Sequence, residues 1–145
     1  MNVSSHTLRI STEGDGHIVD LTRDVQAAVR TSGVTSGQAT AMVVGSTASL
    51  TTLEYEPGLV EHDLVAALER IAPENARYAH EETWHDDNGH SHVRAALIGP
   101  SLALPIVDGR VPLGTWQQVV LVDLDTRPRD RTIILTVIGQ PEEPA

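Results

Sequence analysis

The stretch Leu102–Ile138, LALPIVDGRVPLGTWQQVVLVDLDTRPRDRTIILTVI, decides how this chain folds. It holds three apolar runs, Leu102–Val107, Thr115–Leu124 and Thr132–Ile138, each short and rich in Val, Ile and Leu. Such runs, bounded by turn residues, read as strands. Asp108-Gly109 is a two-residue hairpin signal, and Asp125–Asp130 makes a longer turn. Successive strands joined by turns, with no strand–Gly-rich loop–helix unit among them, specify antiparallel pairing and exclude a dinucleotide-binding fold.

Working outward, Val93–Ile98 reads as one more strand after a long polar stretch. Earlier, Leu59–Ile71 carries Val60, Leu64, Leu68 and Ile71 at helical spacing, with Pro73 just beyond. Ala39–Val44 is a buried strand by its apolar run. Thr22 is placed to cap a helix through about Ser32, with Val25, Ala28 and Val29 on one face and Gly33 as its stop. Thr7–Ser11 and His17–Leu21 are strands around a Gly14-Asp15-Gly16 turn. The expected class is α+β, a mainly antiparallel β-sheet or sandwich with two helices. One domain is expected over residues 1–139, followed by a free tail, Gln140–Ala145, with two Pro and two Glu.

Composition narrows the chemistry. The 145 residues include 20 Asp+Glu against 10 Lys+Arg, all of them Arg, for a formal charge of −10. Nucleic acid is therefore an unexpected partner, since its phosphates would meet an acidic surface. Without Lys there is no Walker-type phosphate lysine and no Schiff base. Without Cys there are no disulfides or thiolates, so any metal must sit on His and carboxylates. Phe is absent, leaving the core to Val, Leu, Ile and Ala. Pro and Gly break the most apolar window, Ala95–Val107, well short of the ~20 residues of a membrane span. The N-terminus lacks the pattern of a secretory signal, so a cytoplasmic location with no membrane partner is expected.

Four segments carry candidate chemistry. Tyr78–Arg94 holds His80, His85, His90 and His92 among Glu81, Glu82, Asp86 and Asp87. In extended backbone His90 and His92 point the same way and could chelate one ion, with His80 or a carboxylate as third ligand; the alternative is a solvated polar loop. Arg127, Arg129 and Arg131 alternate around a turn, suiting phosphate oxygens or simply a charged hairpin end. Gly45-Ser46-Thr47-Ala48-Ser49 follows a buried strand, where Ser46 and Thr47 could hold an anion or make an ordinary turn. In Gly114-Thr115-Trp116-Gln117, Trp116 is expected to pack in a core short of aromatics, although it could stack on a heterocycle, and the role of Gln117 is open.

The ungapped run from Ser101 through Leu104, Ile106 and Gly109 to Gly114-Thr115-Trp116-Gln117 resembles the signature of the YjbQ-like family, also called the secondary thiamine-phosphate synthase family. Ser91-His92-Val93-Arg94-Ala95, Tyr78-x-His80, Asp63, Arg127-Pro128-Arg129 and Val137-Ile138-Gly139 extend the resemblance over nearly the whole chain. It implies an α+β subunit of a homotrimer, with a site near subunit boundaries. It also implies a weak synthase activity that joins a hydroxymethylpyrimidine diphosphate to a thiazole phosphate, with a divalent cation, zinc or magnesium. Together with the residue-level reading it leaves His92, Glu54 and Asp63 as the candidates for catalysis, and His80 and His92, with His90 as a local inference, for metal. Ser46, Thr47, Arg94, Gly114, Thr115, Trp116, Gln117, Arg127, Arg129 and Arg131 are those for a small phosphorylated substrate. Gly45-Ser46-Thr47 departs from the His-Thr-Thr or His-Thr-Ser of many members, and His90 is the local candidate to replace the missing ligand. A metal-dependent hydrolase and a non-enzymatic trimeric module for a phosphorylated metabolite are the competing readings.

Overall fold

A computed structural model describes residues 1–141. Its elements, in order, are β1 (Asn2–Thr12), β2 (His17–Asp20), α1 (Thr22–Ser32), β3 (Val34–Val44) and β4 (Ala48–Leu53). A π-helical turn over Gly58–Asp63 then runs into α2 (Leu64–Ile71), followed by α3 (Ala79–Trp84), α4 (Gly89–Ile98), β5 (Ser101–Val107), β6 (Gln118–Asp123) and β7 (Arg129–Pro141). One sheet has the order β1-β7-β3-β5 and the other β2-β6-β4, every neighbouring pair antiparallel.

The α+β sandwich expected from the sequence is present, and its layers follow from side-chain alternation. Ala39, Ala41, Val43, Ile133, Leu135 and Val137 point from the first sheet into a core closed by Val119 and Leu121 of β6 and by Leu21, Val25 and Val29 around α1. The alternate β6 residues, Val120 and Val122, point the other way and pack with Leu68 of α2 and Ala95 of α4. The second sheet is thus the middle of three layers, which is why β6 is apolar without a break. Among the described residues nothing covers the outer face of the first sheet: Met42, Val44, Val107, Ile134 and Ile138 lie exposed there.

Several expectations are corrected. Val93–Ile98 is helix α4, not a strand, because a six-residue apolar run fits either element and here its start is set by Asn88-Gly89. Among the described residues there are four α-helices rather than two. Thr22 does not cap α1; the Asp20 carboxylate accepts the Thr22 N–H at 2.8 Å, and the Thr22 hydroxyl accepts the Val119 N–H at 3.0 Å. The Asp108-Gly109 turn forms, with a Val107–Arg110 bridge, yet β5 and β6 belong to different sheets, so the turn starts a crossover rather than a long hairpin. Gln140 and Pro141, expected to be free, extend β7, with Gln140 beside Ser36 of β3. The rest of the expected tail, 142–145, lies outside the described residues.

Candidate functional site

His92 sits in the first turn of α4 and His80 in α3, with ring centroids 4.2 Å apart. Asp86, in the loop between these helices, puts a carboxylate oxygen 3.4 Å from His80 Nε2, but off the hydrogen-bond direction, so that buried nitrogen has no hydrogen-bond partner. Burial pushes the His92 pKa below its ordinary value, and the neighbouring His80 pushes it further; Asp86, Asp125 and the Ser46 backbone oppose them without winning. Both lowering effects favour the neutral imidazole over the charged one. His92 forms one wall of an apolar hollow of about 300 Å³ with Gly45, Ser46, Ala48, Ala95, Ala96 and Pro100.

Beneath that hollow lies a buried ionic network. Asp123, fully buried, accepts from Arg131 Nε at 2.6 Å and Nη2 at 2.7 Å, from the Thr12 hydroxyl, and from the Asp125 N–H at 3.1 Å. Asp125 accepts from Arg129 Nε at 2.7 Å, from the Thr47 hydroxyl at 2.9 Å and from the Thr126 N–H at 2.8 Å. Burial alone would raise both carboxyls. The hydrogen bonds outweigh it, led at Asp123 by Arg131 and at Asp125 by Arg129, so Asp123 is lowered and Asp125 is held at about 2. Arg131 Nη2 also donates to the Thr47 hydroxyl at 2.8 Å, which fixes the loop after β3.

This network changes the expected roles of the Arg turn. Arg131 is only 7% exposed, and its Nε and Nη2 are committed to Asp123 and Thr47. Arg129 pairs through Nε with Asp125 and Arg127 through Nη2 with Asp87 at 3.3 Å, so each guanidinium of this turn has a carboxylate partner within the chain. The physical reason is alternation: Asp123 and Asp125 share one face, as do Arg129 and Arg131, and the acidic pair meets the basic pair and is neutralised by it. Arg94 is likewise structural, donating to the Ala72 carbonyl at 2.9 Å and to Glu69 at 2.5 Å, which ties α4 to α2.

His90 is corrected as a ligand beside His92. On a helix, positions two apart diverge by roughly 200°, and His90 turns into the protein, 3% exposed, against Tyr78 at 6.3 Å. Among the described residues no three His, Asp or Glu side chains converge to hold a metal, so the expected His80–His90–His92 triad does not form.

The remaining candidates lie at the other end of the second sheet. β4 pairs with β6 from Ala48 opposite Asp123 to Leu53 opposite Gln118. The His92 hollow is at the first end, and Gly114–Gln117 with Glu54 is at the second, separated by a strand length of roughly 17 Å. Gln117 accepts the Gly114 N–H at 3.1 Å and donates to the Thr52 hydroxyl at 3.0 Å, fixing this loop to β4. The loop borders a cleft of about 400 Å³ with Thr22, Gln26, Arg110 and Thr115. Trp116, expected in the core, is 70% exposed, because the aliphatic core closes without it. Glu54 is exposed and, a strand length away, cannot share a proton with His92 within the chain. Asp63 ends the π-helical turn, exposed and without a side-chain bond among the described residues. Sequence reading placed Asp86 in the polar cluster without a role of its own and missed Asp123, Asp125 and Thr12; the Asp-x-Asp and Arg-x-Arg spacing was the available signal for the two network carboxylates.

The family model described as UPF0047 protein YjbQ-like matches residues 6–140. A UPF0047 protein of Methanothermobacter thermautotrophicus is 33% identical over 97% of this chain and 96% of its own length. The UPF0047 protein YugU of Bacillus subtilis is 31% identical over 92% of this chain and 98% of its own. Among solved structures, a protein of unknown function from Sulfolobus solfataricus superposes with a TM-score of 0.84 at 28% identity, covering 95% of this chain and 99% of that one. An uncharacterised conserved protein of the same family from Clostridium acetobutylicum gives 0.82 at 32% identity, covering 92% and 99%. With the sequence signature, the two-sheet fold and these relatives in agreement over nearly the full length, the chain belongs to the UPF0047 YjbQ-like family.

Proposed function

We propose that this protein is a cytoplasmic transferase of the thiamine-phosphate synthase type, joining a hydroxymethylpyrimidine diphosphate to a thiazole phosphate. The observation that carries the reading is the neutral His92 facing His80 at the mouth of a hollow large enough for one ring. In the reaction the thiazole nitrogen forms a C–N bond to the pyrimidine methylene while the C–O bond to diphosphate breaks. Positive charge develops on the pyrimidine, and a neutral imidazole beside it accepts a hydrogen bond or proton from the ring's amino group.

The buried, unbonded His80 Nε2 fits a divalent cation, with the Asp86 carboxylate 3.4 Å away as second donor, which leaves the His92 acceptor nitrogen to the substrate. An imidazole donor suits zinc better than magnesium. When bound, the ion would neutralise the departing diphosphate.

The Gly114–Gln117 loop and the His92 hollow are one site only if they come from neighbouring subunits. We therefore read the chain as a homotrimer that buries the uncovered face around Met42, Ile134 and Ile138. Incubating the protein with both precursors and zinc or magnesium tests the activity. Thiamine phosphate above the no-enzyme control is expected; none with either ion overturns it.

A further inference from the structure

Thr47 is held harder than a turn residue needs. It lies in the loop between β3 and β4, 5% exposed, its hydroxyl used both as donor and as acceptor. The hydroxyl donates to Asp125 at 2.9 Å and accepts from Arg131 Nη2 at 2.8 Å. Both partners are buried and charged, so the bonds are strong and the side chain has one setting. The Thr47 carbonyl adds a third tie, accepting the Leu124 N–H at 2.9 Å.

The peptide before Thr47 is held differently. Its carbonyl belongs to Ser46, and among the described residues that oxygen makes no backbone hydrogen bond. On its far side stands Gly45, at φ +145°, with no side chain to limit the backbone. The setting of the Ser46 carbonyl thus depends on the anchored Thr47 side chain. Ser46 and His92 line the same hollow. The Ser46 backbone also acts on the His92 pKa in the upward direction, the effect of a carbonyl that accepts a ring N–H.

A neutral imidazole has one N–H and one lone-pair nitrogen, and the partner of the first decides which is which. A carbonyl against one nitrogen of His92 keeps the proton there. The other nitrogen is then an acceptor, the form that the proposed reaction needs. We propose that Thr47 is a positioning residue for His92: its hydroxyl, clamped between Asp125 and Arg131, sets the Ser46 carbonyl that selects the His92 tautomer. The proposal rests on His92 being the acceptor in the proposed transferase. It gives the buried ionic network beneath the hollow a task beyond stability.

Protein labelled with 15N in its histidines shows the tautomer by NMR at pH 8, above the titration range of histidine and without any turnover. In wild type the His92 ring nitrogens are expected as one protonated and one unprotonated signal. The favoured tautomer is expected in excess by roughly fivefold or more, the weight of one hydrogen bond. Thr47→Val keeps the shape and removes the hydroxyl; both signals are expected to move toward a common mean. Thr47→Ser keeps the hydroxyl and with it the wild-type pattern. Thr47→Ala, which leaves room for water at Asp125 and Arg131, takes the place of the valine variant if that one does not fold. Mixed tautomers in wild type or in Thr47→Ser overturn the proposal, as does the wild-type pattern in a folded Thr47→Val or Thr47→Ala. A single tautomer in a protein that makes no thiamine phosphate would sink the synthase reading and leave the Thr47 assignment standing.

Discussion

At the scale of residues, Asp125 shows how a carboxylate is made permanent. Its pKa falls from 3.8 in the unfolded chain to about 2 in the fold. The unfolded chain therefore takes up a proton first, so the stabilisation is complete above pH 3.8 and is lost as the pH falls through about 2. A shift of this size is worth about 2 kcal/mol. Asp125→Asn is expected to cost roughly that at pH 7 in denaturant unfolding, with the gap to wild type closing below pH 3. A gap that persists unchanged in acid would show that packing, not charge, is at stake. His92 works in the opposite chemical sense. As a base with a lowered pKa it contributes stability above pH 6.5, lost as the pH falls below that value toward its folded pKa. Asp123 and Asp125 escaped notice in the sequence because an Asp-x-Asp pair reads as a turn until its Arg partners are placed opposite.

At the scale of elements, the strands were legible where one face is buried and the other is not. The alternation of β7, and the apolar run of β3 that first marked it as a strand, predicted real elements, as did the helical spacing of α1 and most of α2. Illegible was α4, whose apolar run is too short to choose between strand and helix, and with it went the direction of His90. Pairing between distant strands was also hidden. Gly139 lies opposite Gly37 on β3, and a Cβ there would fall onto the Ser36 carbonyl and within 2.7 Å of Gly37 Cα. Only two Gly residues allow this approach. Gly139→Ala is expected to cost about 1–3 kcal/mol in unfolding experiments, whereas a cost within error would mean that β3 and β7 separate freely there.

At the scale of the whole molecule, no described helix is long and apolar enough to cross a membrane. Five large apolar side chains, Met42, Val44, Val107, Ile134 and Ile138, are exposed together on the outer face of the first sheet. Ile134→Arg places a charge at the centre of that face; sedimentation is expected to show trimer for wild type and monomer for the variant, and identical masses would move the interface elsewhere. The sequence signature indicated the family and the two-layer strand pattern, but it could not show that the motif loop and the histidines occupy opposite ends of one sheet. The most direct test is the rate of thiamine phosphate formation by wild type and His92→Ala under identical conditions with a divalent cation. The account predicts that wild type makes product and that the variant, with an unchanged melting temperature, loses at least about a hundredfold in rate, the lower range for one proton-handling group. A His92→Ala protein that makes product at the wild-type rate would contradict it.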